Sequence, residues 1–79
     1  MPRFYFHLHG RGSRVRDEEG LNLPDAEAAW FQAVRSARDL IAADLSLGCS
    51  WDDQAVEIED ERGSEVGQIP LREIANFAL

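Results

Sequence analysis

Apolar and polar residues alternate along two short stretches of the chain. In residues 3–9 every second residue is apolar, which predicts a strand with one buried face. Residues 55–60 alternate in the same way, and Gly63 in the turn that follows predicts a hairpin with residues 64–70. The residues predicted to face inward from the first two strands are Phe4, Phe6, Leu8, Val56 and Ile58.

A longer stretch, residues 25–47, has apolar residues at spacings of three and four, which is typical of an amphipathic helix. Asp25 stands where an N-cap is expected, and Gly48 follows the last apolar residue as a natural stop. The stripe predicted to face the sheet consists of Trp30, Val34, Ala37, Ile41 and Leu45.

Together these elements predict a two-layer α+β domain that spans residues 1–79. Its antiparallel sheet has the order ββ-α-ββ and packs on one long helix, because a single helix stripe needs one apolar sheet face to cover it. A short strand around Val15 completes the first hairpin. Helical spacing after Pro70 predicts a short C-terminal helix.

The composition indicates a small protein with a limited core. Without a disulfide, a bound metal or a partner subunit, the core of a 79-residue chain contributes only about 3–5 kcal/mol of net stability. Cys49 is the only cysteine, so no intrachain disulfide is available and a reducing, cytoplasmic location is expected. No apolar run approaches the ~20 residues of a membrane span, and no signal peptide is recognised. We therefore expect a homodimer without membrane contact.

The charge is uneven along the chain. The formal net charge is −7, yet residues 1–16 hold four arginines and no acid. The main interpretation is that Arg14 and Arg16 face Glu57 and Glu59 across the sheet. The alternative is a nucleic-acid-binding patch made by Arg11, Arg14 and Arg16, which the acidic total opposes.

Two histidines, His7 and His9, stand two residues apart on the first strand, so both should point to its exposed face. Such a pair can begin a metal site, but further ligands at suitable spacing are missing from the sequence. Cys49 lies beyond the predicted helix and has no local group that would activate a thiolate. We therefore expect no catalytic centre, no cofactor and no metal, with His7 and His9 as the alternative metal ligands.

Several motifs together resemble a family of short bacterial proteins, common in alphaproteobacteria, that is classed as a domain of unknown function. They are "MPRFYFHL", "DEEGLNLPDAEAA", "RSARDLIAADL" and "VEIEDERG", and they cover almost the whole chain. The resemblance implies no activity, because none is assigned to the family.

A second likeness is to the N-terminal domain of HicB-type antitoxins, which also place a hairpin and a Pro-Asp step before a helix. The residues that carry it are Pro24, Asp25, Glu27, Ala28, Ala37 and Arg38. It implies a regulatory protein with a protein partner and no catalysis of its own.

The function predicted from these observations is an interaction module that self-associates or binds an unidentified protein partner. The contact is expected on the outer face of the sheet or at an edge strand, because an open edge invites pairing. Exposed aromatic residues also mark protein contacts. The residues predicted to take part are Arg3, Tyr5, His7, Phe31 and Trp51.

Overall fold

The computed structural model describes residues 1–10, 13–47 and 53–78. One antiparallel sheet runs in the order β2-β1-β4-β5, and β3 pairs with β1 along the same edge as β2. This confirms the predicted α+β class, with one long helix and a short C-terminal helix. The elements are β1 (Arg3–Gly10), β2 (Ser13–Val15), β3 (Leu21–Asn22), α1 (Ala26–Leu47), β4 (Ala55–Asp60), β5 (Glu65–Pro70) and α2 (Leu71–Ala78).

The register of the two central strands separates their apolar and polar residues as predicted. In β1 and β4, Phe6 pairs with Ile58 and Leu8 with Val56, whereas His7 pairs with Glu57 on the opposite face. The apolar side therefore faces the helices, and we call it the helix side. The polar side is the outer face.

The outer strand β5 is irregular at Val66, where the alternation of its side chains between the two faces of the sheet is interrupted. Ile58 pairs with Gly67 and Glu59 with Glu65, so Val66 is an extra residue that forms a β-bulge. At the other end, Leu71 N–H donates to the carbonyl of Gln54. Hydrogen-bonded pairs alternate along an antiparallel ladder, so Pro70 falls at a position that needs no donor. The bulge and the proline both blunt this edge against pairing.

The face that α1 turns to the sheet overlaps the predicted stripe but is not centred on it. Ala29, Ala33 and Ala37 are 0 % exposed, whereas Trp30 is 47 % exposed. Ala37 and Ile41 belong to both faces, so the helix is rotated by only about 60° from the expected orientation. Alanines allow close approach of the helix to the sheet, and the bulk of the core comes from the strands. Trp30 lies at the margin over Gly67, where a Cβ would stand 3.4 Å from its indole ring.

The core lies between the sheet and the two helices. Val34 and Ile41 belong to it as predicted, the first as a partly buried neighbour, whereas the side chain of Leu45 lies outside the described part of the chain. Neither described helix is long and apolar enough to cross a membrane. The buried apolar residues in contact are Phe4, Ala29, Ala33, Ala37, Ile41, Val56, Ile58, Ile69, Leu71 and Ala75.

Candidate functional site

The edge of the sheet next to β1 is interrupted. Leu8 pairs with Val15 and Phe4 with Leu21, so five residues of the edge chain stand opposite only three of β1. The surplus forms a loop, residues 16–20, that leaves the sheet plane. The Phe6 backbone lies at this gap and must find another partner.

Asp17 supplies that partner. Its Oδ2 accepts a hydrogen bond from Phe6 N–H at 3.1 Å, so the carboxylate takes the place of a strand carbonyl. Its Oδ1 accepts from the N–H groups of Glu19 and Gly20 at 3.2 and 3.1 Å, which closes the loop as an Asx-type turn. The backbone N–H of Asp17 donates to Nδ1 of His7 at 3.0 Å. One residue therefore joins the sheet edge, the loop and the outer face.

Gly20 completes the loop because its φ is +70°, which L-residues rarely adopt. A Cβ at this position would stand 2.8 Å from the Phe4 carbonyl oxygen and 2.9 Å from the Tyr5 ring. The "DEEG" motif is thus explained by loop structure: the aspartate caps the open edge, and the glycine permits the close return to β1.

His7 is buried, in contrast to its predicted exposed position. It is 1 % exposed, because its Nδ1 is tied to the backbone of Asp17 in the loop at the strand edge and the Tyr5 ring stacks beside it at 6.3 Å. Since Nδ1 accepts the Asp17 N–H, the proton of the neutral ring is on Nε2, which points to Glu59 Oε1 at 3.4 Å. The position of His7 therefore removes it from the residues available for a surface contact.

The structure brings together a set of possible metal ligands that differs from the predicted pair of histidines. Atoms of His7, Glu57 and Glu59 that can bind a metal lie within 4.8 Å of one another, and His9 is not in this group. A neutral imidazole that binds metal through Nε2 carries its proton on Nδ1. At His7 that proton would point at the Asp17 N–H. The observed loop therefore disfavours a metal at this group, and metal binding stays an untested alternative.

The ionisation of Asp17 reflects the same contacts. Its partial burial by itself would raise the pKa, but three backbone hydrogen bonds outweigh burial, and the pKa lies below the ordinary value. The backbone donors that lower the pKa are those of Phe6, Gly20 and Glu19. The folded chain therefore favours the carboxylate form that accepts these hydrogen bonds.

The arginines of the basic segment are partly engaged. The guanidinium of Arg14 lies 2.5 Å from Glu57 Oε1, which confirms the predicted cross-sheet pair, although Arg14 is still 44 % exposed. Arg3 donates to the backbone carbonyl of Glu19. Arg16 is exposed, and Arg11 lies outside the described residues. Of the arginines that could form a nucleic-acid patch, Arg14 therefore pairs with Glu57, whereas Arg16 stays exposed.

The remaining predicted contact residues are spread over the molecule. Tyr5 is half-buried beside His7, and His9 Nε2 accepts a hydrogen bond from the Gln68 side-chain amide. Phe31 is 61 % exposed on α1. Trp51 lies outside the described residues, as does Cys49. Among the described members of this set, Phe31 lies on the helix side of the sheet and the stacked Tyr5 and His7 lie on the outer face, so they do not form one surface.

A different surface emerges on the helix side of the sheet. Among the described residues, α1 packs mainly over β4 and β5, whereas on β1 Phe6 and Leu8 pack only partly against the core. Val15 is 64 % exposed and Leu21 44 % exposed, and each stands beside an apolar partner residue on β1. We call this surface the apolar strip; it consists of Phe6, Leu8, Val15 and Leu21.

Sequence reasoning missed both Asp17 and the apolar strip. The signal for Asp17 was its place in an Asp-Glu-Glu-Gly turn, which is typical of a side chain that bonds the backbone two or three residues ahead. The signal for the strip was the width of the predicted sheet, since one helix covers about two strands at ~10 Å.

The family model described as "Domain of unknown function (DUF6894)" matches residues 3–72 of the 79-residue chain. Comparison with curated proteins and with solved structures gives no match. The family match spans all five strands, α1 and the start of α2. The chain therefore belongs to the family described as a domain of unknown function, DUF6894.

Proposed function

We propose that this protein is a small interaction module that forms a homodimer and has no catalytic centre of its own. The observation that carries the proposal is the apolar strip, because a half-covered sheet face with two exposed aliphatic side chains is more stable when a partner covers it. Contiguous exposed apolar surface of this kind is typical of protein-protein contacts.

The polar cluster on the outer face does not favour catalysis. His7 is 1 % exposed, and both of its ring nitrogens face polar atoms of the protein. A general base must reach a substrate proton within hydrogen-bond distance. The cluster of His7, Asp17 and Glu59 is better explained as support for the edge loop.

The blunted strand edges favour a contact through side chains over edge-to-edge pairing. Val66 bulges and Pro70 lacks a donor on β5, and the loop at residues 16–20 interrupts the opposite edge. These features oppose the addition of a further strand. The proposed contact therefore uses the apolar strip in place of the outer face or an edge.

Sedimentation equilibrium tests the proposal. We expect a mass near twice 8.9 kDa at about 100 µM protein. Dilution to about 1 µM should increase the fraction of monomer, because the dimer population depends on the protomer concentration. A mass of one chain at every concentration would contradict the proposed self-association. Addition of high salt should change the equilibrium little, since the contact is mainly apolar.

A further inference from the structure

The loop at residues 16–20, which we call the edge loop, is attached to the sheet at two points of different chemistry. At the strand edge, the Asp17 carboxylate accepts a hydrogen bond from Phe6 N–H. On the outer face, the backbone N–H of Asp17 donates to Nδ1 of His7. The first attachment requires an ionised carboxylate and the second a neutral imidazole, so acid can act on the two separately.

His7 lies beneath the edge loop, and its ring can take a second proton only at the atom that the loop uses. Its neutral form carries the proton on Nε2, which faces Glu59 Oε1 at 3.4 Å, so the second proton must bind Nδ1. A protonated Nδ1 is a donor and no longer accepts from the Asp17 N–H. Two N–H groups would then face each other 3.0 Å apart in a buried place, where neither has an acceptor.

We infer that the edge loop is an acid-operated flap, which leaves the outer face when His7 takes a proton and stays hinged at the Asp17 carboxylate. In the closed state the imidazole is neutral and its Nδ1 holds the Asp17 N–H. In the open state the imidazolium keeps its Nε2–H toward Glu59 and turns its Nδ1–H to water. Acid therefore uncovers a side chain that is 1 % exposed in the closed state. The inference does not depend on the proposed homodimer.

The charges around His7 give the open state its own stabilisation. Glu57 and Glu59 each offer an oxygen within 4.8 Å of the ring, so an imidazolium would lie beside carboxylates of opposite charge. Arg14 offsets part of this effect, because its guanidinium already pairs with Glu57. The titratable or charged side chains on the elements around His7 are Tyr5 and His9 on β1, Arg14 on β2, Asp17 on the edge loop, and Glu57 and Glu59 on β4.

The hinge is the part of the loop that acid affects last. The pKa of Asp17 lies below its ordinary value because of its backbone hydrogen bonds, so the carboxylate stays ionised where a histidine titrates. Its Oδ2 can then still accept from Phe6 N–H, and its Oδ1 from the N–H groups of Glu19 and Gly20. These bonds hold the loop together internally, so it can move away from the face as one unit.

Amide hydrogen exchange and NMR spectra of the full chain test the inference between about pH 8 and 4.5, the range around the titration of a histidine. The ring signals of His7 report its protonation, and the amides of Asp17 and Phe6 report the two attachments. Protection of the Asp17 N–H, relative to an unfolded amide at the same pH, should fall about tenfold, the scale of one lost hydrogen bond. The fall should share its midpoint with the His7 ring, while Phe6 N–H keeps its protection.

His7→Asn separates the proton from the hydrogen bond. The side-chain oxygen of asparagine stands near the place of Nδ1 and accepts a hydrogen bond, but it does not titrate. The Asp17 N–H of this variant should keep its protection over the whole pH range. His9→Asn is the matched control, because His9 lies on the same strand but bonds to the Gln68 side-chain amide. It should leave the wild-type response of Asp17 unchanged.

Each other outcome overturns the inference. If the His7 ring takes a proton and Asp17 N–H keeps its protection, or if the ring takes none down to about pH 4.5, acid does not open the loop through His7. If the Asp17 and Phe6 amides lose protection together, the carboxylate is not a hinge. If His7→Asn responds as the wild type does, another group operates the loop. Should this variant not fold, the midpoints in the wild type decide alone.

Discussion

The backbone N–H of Asp17 donates to Nδ1 of His7 over 3.0 Å, and this contact fixes the loop at residues 16–20 to the outer face of the sheet. The same aspartate caps the unpaired N–H of Phe6 through its side chain. A loop of five residues is therefore held at both its sheet edge and its sheet face. Its stability should depend on Asp17 more than on any of its exposed neighbours.

Asp17→Asn should lower the free energy of unfolding by about 1–3 kcal/mol at neutral pH, because an amide accepts through one atom only and leaves buried donors unpaired. Urea denaturation measures the effect. Glu18→Gln removes a charge from an exposed neighbour and should change stability by less than ~0.5 kcal/mol. Equal stabilities for the two variants would refute the capping role of Asp17.

The stability difference between the wild type and Asp17→Asn should depend on pH. The pKa of Asp17 is lower in the folded chain than its ordinary value, so its contribution is complete above about pH 4 and is lost as the pH falls through the folded pKa. The gap should thus be constant between about pH 6 and 8 and narrow in acid. Urea titrations at each pH test this, and a gap that widens in acid would contradict it.

Gly20→Ala should destabilise the fold by more than Gly63→Ala. Both glycines have positive φ, +70° and +84°, so alanine costs about 1 kcal/mol or more at either position. At Gly20 the new Cβ would also meet the Phe4 carbonyl at 2.8 Å, whereas at Gly63 nothing lies within 4 Å. Thermal unfolding of the two variants compares them, and equal losses would show that the loop does not return to β1 this closely.

The ring of His7 should be the Nε2-protonated tautomer. Long-range ¹H–¹⁵N spectra of the imidazole distinguish the tautomers directly, and Nδ1 should show the shift of an unprotonated acceptor because it receives the Asp17 N–H. His9 serves as the internal comparison. A zinc titration should leave the His7 signals in place. Stoichiometric loss of these signals would instead support a metal site with Glu57 and Glu59.

Ala33→Leu should cost about 1–3 kcal/mol, because Ala33 is 0 % exposed between α1 and the sheet and has no room for extra methyl groups. Ala26→Leu, at an exposed position of the same helix, is the control and should be nearly neutral. Urea denaturation separates them. A neutral Ala33→Leu would favour the orientation in which Trp30 faces the sheet.

The helix orientation shows the limit of periodicity as evidence. The predicted stripe, which contains Trp30, and the observed stripe, which contains Ala29, are centred about 60° apart. Both repeat at three and four residues, and Ala37 and Ile41 belong to both. We expected Trp30 to lie in the core because its side chain is larger than that of Ala29. The strands already fill the core with Phe4, Ile58 and Ile69, so the space that remains under α1 suits alanine.

At the candidate site, too, the sequence predicted some features and not others. Alternation along β1 correctly placed His7 opposite Phe6, on the polar face. The uneven charge of the chain predicted the pairing of Arg14 with Glu57. It did not predict that His7 is buried, because its cover comes from a loop ten residues away in sequence. Side-chain exposure at such a position depends on a contact that no local pattern encodes.

Local chemistry by itself determined the elements and the two faces of the central strands. Alternation defined β1 and β4, the three-to-four spacing defined α1, and Asp25 began the helix by accepting from Ala28 N–H at 2.9 Å. Tertiary structure alone decided which helix face met the sheet, how Asp17 closed the open edge, and which apolar residues stayed uncovered. Those outcomes depend on the volume, width and register of elements packed together, and such quantities exist only once the strands and helices have met.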